Sequence, residues 1–211
     1  MITSIENMNA GIAWWQTNMA GWGADIMNAE YLTIYSDRDG GVTELWWEAA
    51  VDRLWIWKAI RGPRPPNSKR AIFDGGVQRL NQIAEQYNAI QSLTESEPTI
   101  CDVSWEDIQE LYRLSHEIKW DQRRNASPVF ACKMCHFLFP KIFPIIDNLA
   151  TGIFEYEFYW RGRKDEWERF PLKEEAQAIL AASMEVVEQV HTLYPWETKI
   201  MELSHVGYTH G

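Results

Sequence analysis

The sequence predicts a mainly α-helical fold, a single globular domain over residues 1–211, on three observations. Apolar residues recur at helical spacing in most segments. Cap and breaker residues punctuate them at helix-length intervals. Strand-like alternation is confined to one short stretch. At 211 residues, with 46% hydrophobic and 24% charged side chains, the chain is long enough to bury one core and is ordinary for a globular protein. Two helical halves around a cleft, an N-terminal group and the helices from Ser104 to Tyr194, with at most a minor short strand pair, complete the expected architecture.

Each element has a local reason. From Ile5 to Met19, Ile12, Trp15 and Met19 recur at helical spacing, and Gly21 and Gly23 end the run. Tyr31 to Tyr35 alternates as a short extended segment, and Asp37-Arg38-Asp39-Gly40-Gly41 is turn chemistry. Thr43 can cap a helix running to about Ile60, with Trp46, Ala50, Leu54 and Trp57 on one face. Residues 61–76 hold three prolines, three glycines and Arg61, Arg64, Lys69 and Arg70, and are expected to form a long basic loop. Val77, Leu80, Ala84 and Tyr87 share the next helical face. Ser104 with Asp107 forms a capping box opening a helix through Ile118. Ser127-Pro128 starts a short apolar helix that must end by Pro140, and Asp147 stands as the N-cap of another. Pro171 opens a last long helix to Tyr194, and residues 204–211 are expected to be a flexible tail.

Composition narrows the function classes. Twenty basic against thirty acidic side chains give a formal charge of −10, which argues against a nucleic-acid binder that works by bulk charge. A basic site has to be local. Three cysteines and no basic-then-apolar leader predict a protein of the reducing cytoplasm, and no stretch is apolar enough to predict a membrane span. Neither a Gly-rich phosphate loop nor a serine nucleophile elbow is present.

Cys132-Lys133-Met134-Cys135-His136 reads literally as a haem-attachment motif, and on a helix it offers three zinc ligands at i, i+3 and i+4. The apolar run around it favours core cysteines, so neither haem nor zinc is expected, and no other cofactor. The twelve tryptophans, paired at Trp14/Trp15 and Trp46/Trp47, are expected to serve mainly the core. Phe158-Tyr159-Trp160-Arg161-Gly162-Arg163-Lys164 interleaves rings with cations, as single-strand binders do, although a solvated helix end is the favoured reading.

From Ile118 to Phe154, the residues Lys133, His136-Phe137-Leu138, Pro140, Phe143-Pro144-Ile145 and Asp147 follow the order Lys-x-x-His-Phe-Leu-x-Pro-x-x-Phe-Pro-Ile-x-Asp. This stretch resembles a family of bacterial proteins similar to the oxoguanine-type branch of helix-hairpin-helix DNA glycosylases. The resemblance implies base excision in which Lys133 attacks the sugar as an amine nucleophile and Asp147 stabilises the cationic sugar. It further implies a DNA-binding cleft to which His136, Arg123, Arg124, Arg161 and Trp160 would contribute. The glycosylase hairpin that grips a phosphate has no counterpart, because residues 125–132 carry no glycine. The alternative is a non-enzymatic interaction protein that holds a protein partner on its tryptophan-rich helices. An open cleft at Lys133 would favour the first reading, and an exposed patch at Trp46, Trp47 or Trp57 the second.

Overall fold

A computed structural model describes residues 1–18, 34–64, 67–119, 128–146, 155–183 and 196–211. Among them all regular structure is helical: α1 (Ile5–Asn18), a 3-10 turn (Arg38–Gly40), α2 (Glu44–Ile56), α3 (Lys69–Val77), α4 (Leu80–Gln91), α5 (Trp105–Ile118), α6 (Pro128–Leu138), α7 (Tyr156–Arg169), α8 (Lys173–Ser183) and α9 (Trp196–His210). The mainly α class is thus the observed one. No described helix is long and apolar enough to cross a membrane.

The caps are those the residue types dictate. Thr43 accepts from the backbone N–H of Trp46, Ser68 from that of Ala71, and Ser104 with Asp107 closes a reciprocal capping box. Helices α2 to α6 pack on one another around Trp47, Phe130 and Phe137, while α1 packs chiefly against α8 and α9, with α7 touching both α5 and α9. The two groups of helices therefore divide differently from the expected halves: the first helix joins the last two.

Three local expectations are corrected. Ile34 and Tyr35 belong to a helical turn leading into the 3-10 turn, not to an extended segment, while Tyr31 to Thr33 of that expected segment lie outside the described residues. The basic loop of residues 61–76 ends early, because Ser68 caps α3, which runs through Gly75 and Gly76. Those glycines serve close packing: a Cβ on Gly76 would overlap the ring of Trp47, and one on Gly75 would lie 3.1 Å from Ile118 O. Residues 204–211 are no loose tail either, since α9 reaches His210 and Met201 to Gly207 are buried against the rest. There Gly11 and Gly207 let the backbones of α1 and α9 touch.

The irregular connection after α6, residues 139–146, is almost wholly buried, so each carbonyl needs an assigned donor. Thr198 Oγ1 donates to Pro140 O (2.6 Å), Ile100 N to Lys141 O (2.9 Å), Trp160 Nε1 to Ile142 O (2.8 Å) and Tyr156 Oη to Pro144 O (2.8 Å). His136 Nδ1 takes Phe143 O at 2.6 Å, and the Cys132 thiol lies 3.7 Å from Ile146 O while accepting from Ile146 N. Arg38, itself 3% exposed, caps Leu138 O at the end of α6. Glu97 balances its charge, and the Tyr35 ring lies 3.7 Å away.

Candidate anion site at the end of helix α2

Helix α2 ends in a Schellman turn, with Lys58 N donating to Trp55 O (3.0 Å) and Ala59 N to Leu54 O (2.9 Å). The left-handed position, normally glycine, is Lys58 at φ 58°. Buried Ala59 and Leu54 supply the apolar contact that accompanies such turns. The turn leaves three successive carbonyls to be satisfied from elsewhere, at the negative end of the helix dipole. A cation reaches each one. Lys133 Nζ donates to Trp57 O at 2.9 Å, Arg61 Nε to Lys58 O at 2.6 Å and Lys119 Nζ to Ala59 O at 2.5 Å.

The three cations arrive from three places. Lys119 is the C-cap of α5, Lys133 lies in α6 and Arg61 follows the turn itself. Lys133 is 6% exposed, Lys119 half-buried and Arg61 exposed, so the group grades from interior to solvent. Burial first, then the charges of Arg61 and Lys133, bring the Lys119 amine down from the usual lysine value to about 8. Lys119 also stands 5.6 Å from the centre of the Phe130 ring. Among the described residues, neither Arg61 nor Lys119 is held in an ion pair.

The expected site residues fall into three groups. Lys133 and His136 come together on α6, where burial, followed by the charges of Lys199 and Lys133, holds His136 neutral with its pKa lowered to about 3, although its bond to Phe143 O works the other way. A carbonyl can only accept, so the proton sits on Nδ1. Arg161 and Trp160 are engaged elsewhere: Arg161 pairs with Glu157 (2.9 Å) and Glu106 (2.6 Å) on the surface, and Trp160 is fully buried. Residues 158–164 are thus not a solvated helix end, since Tyr159, Trp160 and Arg163 are interior and Lys164 binds the carbonyls of Ile100, Cys101 and Val103. Arg123, Arg124 and Asp147 lie outside the described residues.

The thiols have structural partners. Cys132 approaches Val129 O at 3.3 Å, and Cys135 donates to Ser115 Oγ at 3.3 Å, with burial pushing its pKa far up. Among the described residues no group of three or more His, Cys, Asp or Glu side chains is placed to hold a metal ion. A separate pocket of about 400 Å³ opens along α5, lined by Trp105, Glu106, Gln109, Glu110, Tyr112, Arg113 and His116. Its lining includes neither Lys119 nor Lys133.

Sequence reasoning found Lys133 as the odd charge in an apolar helix. It missed Arg61, Lys119 and the turn that gathers them, because the αL residue is a lysine rather than a glycine and because Lys119 and Lys133 lie 60 and 76 residues from the carbonyls they reach. The chain matches no protein-family model, no curated protein and no solved structure.

Proposed function

We propose that this protein binds DNA by its phosphodiester backbone, at the corner formed by Arg61, Lys119 and Lys133. The observation that supports the reading most directly is the convergence of three cations on successive carbonyls in a chain whose net charge is −10. Arg61 and Lys119 repel one another, and a phosphate bound beside them relieves that repulsion while releasing counterions. In this reading Lys133 supplies fixed charge from below and Arg61 faces the ligand. The protein-partner alternative draws no support from Trp46, Trp47 and Trp57, which are all buried.

The test is fluorescence anisotropy of a labelled duplex, with and without an abasic site, across a salt titration. Binding should weaken linearly on a log–log plot, and Arg61→Gln should reduce the slope by roughly one. Absence of binding at low salt, or a slope unmoved by Arg61→Gln and Lys119→Gln together, overturns the reading.

A further inference from the structure

Lys58 breaks a rule that the rest of the described chain keeps. At φ 58° it is the one described residue other than glycine in the left-handed region, where a Cβ crowds the neighbouring carbonyl. Glycine would hold the same turn without that cost. A cation at the C-terminal end of a helix is ordinarily favoured by the dipole. Here the carbonyls of Trp57, Lys58 and Ala59 already meet Lys133, Arg61 and Lys119, so a fourth positive charge gains little from the helix. It also adds repulsion. Arg61 Nε lies 2.6 Å from Lys58 O, and a lysine side chain reaches about 6 Å from its own Cα, so the two cationic heads stay within roughly 12 Å, close to a Debye length. Both side chains are exposed, whereas Lys133 is enclosed and Lys119 half-buried. Strain and repulsion are two costs that a glycine would remove, and backbone strain of this kind collects where a ligand is clamped.

We infer that Lys58 is a second phosphate ligand of the corner, holding the phosphate next along the strand from the one that Arg61 takes. The inference rests on the DNA-binding reading and deepens it, by giving the site a footprint of two consecutive phosphates instead of one anion. Arg61 is pinned to the turn through Nε, which leaves its other guanidinium N–H groups for the first phosphate. The left-handed backbone of Lys58 sends its side chain off the helix end in a direction that a right-handed residue would not give. Its flexible stem then carries a point charge that can settle on the neighbouring phosphate. Successive phosphates of one strand are about 3.4 Å apart along the duplex axis, inside the span of the two heads. Bound anions turn the added repulsion into attraction, which is the gain that a glycine could not supply.

The experiment pairs stability with binding in the whole protein. Lys58→Gly relaxes the turn, so it should raise the thermal midpoint by roughly 2–4 °C while lowering the slope of log affinity against log salt for the labelled duplex by roughly one. Lys58→Gln, neutral but still left-handed, should lose the same slope without the gain in stability. Lys58→Arg keeps the charge and should keep the slope. A slope unmoved by Lys58→Gly, where Arg61→Gln does reduce it, overturns this inference and leaves DNA binding standing. A Lys58→Gly protein no more stable than the parent overturns it too, because the turn then holds lysine at no cost. The second probe is inorganic tripolyphosphate, followed by its shift of the thermal midpoint. The parent should bind it at least tenfold more tightly than orthophosphate, and Lys58→Gly should remove most of that preference. A preference removed in this way, in a protein that binds no duplex, refutes only the function proposed above. Binding of neither duplex nor tripolyphosphate overturns both.

Discussion

Replacing Gly207 by alanine should destabilise the protein by about 3 kcal/mol, although in a helix interior the same change ordinarily gains up to about 1 kcal/mol. A Cβ at Gly207 would stand 2.6 Å from Gly11 N and 2.8 Å from Asn7 C, both backbone atoms of α1 that cannot rotate away. Normal contact needs about 3.5 Å, so the helices would have to part by roughly an ångström. Overpacking of that kind costs about 1–3 kcal/mol, and separation also weakens the burial of Met8, Leu203 and Val206, worth roughly 1.5–3 kcal/mol each when complete. Partial loss of one such side chain plus the strain, less the propensity gain, gives the stated figure. Gly162→Ala in α7 is the internal control, because nothing lies within 4 Å of its Cβ position and only the propensity gain applies. Urea unfolding followed by circular dichroism should lower the midpoint by about 1 M or more for Gly207→Ala and raise it slightly for Gly162→Ala. If Gly207→Ala were as stable as the parent, the close backbone contact between α1 and α9 would be wrong.

Gly76→Ala should likewise destabilise, by roughly 2 kcal/mol, since its Cβ would overlap the Trp47 ring and disturb the bond from Trp47 Nε1 to Phe73 O; a double-mutant cycle with Trp47→Phe should recover at least about 1 kcal/mol as coupling. Glu97→Gln should cost about 3 kcal/mol by chemical denaturation at pH 7, because it strips the carboxylate from buried Arg38 and Lys141; a loss below about 1 kcal/mol would show that Arg38 is balanced by other groups. His136 is neutral in the folded state down to about pH 3 but takes a proton near 6.5 when unfolded, so its contribution is complete above 6.5 and shrinks as pH falls toward 3. Between pH 7 and 5 this amounts to roughly 2 kcal/mol, and His136→Asn, which can still donate to Phe143 O, should flatten the measured slope of stability against pH.

What was legible in the sequence was what neighbours in sequence decide. Thr43, the Ser104–Asp107 box and Pro128 mark helix starts because a cap acts within one turn of itself. Gly75, Gly76 and Gly207 misled for the opposite reason: they suggested turns and a frayed end, whereas each is small because something distant in sequence must come close. Lys133 was visible as an oddity on an apolar face, but its partner, a backbone carbonyl at Trp57, carries no side-chain signal. Arg161 and Trp160 looked like a ligand surface because aromatic and cationic residues alternate there, yet on a helix alternation separates faces, and Trp160 turns inward while Arg161 turns outward.

The segment that follows Lys133 has a physical account in its backbone. Pro140 and Pro144 keep the chain beyond α6 out of a helix and leave a buried stretch that cannot satisfy itself. His136, Tyr156, Trp160 and Thr198 each give a hydrogen bond to it, and the apolar Phe137, Leu138 and Phe143 fill the space around it. That support fixes α6, and α6 in turn fixes where the Lys133 amine meets the end of α2. Cations held on carbonyls in this way have already lost much of the rotamer freedom that binding would otherwise remove. If the proposed phosphate binding holds, the corner is preorganised for it, and loosening it through the connection should weaken DNA affinity without touching any cation.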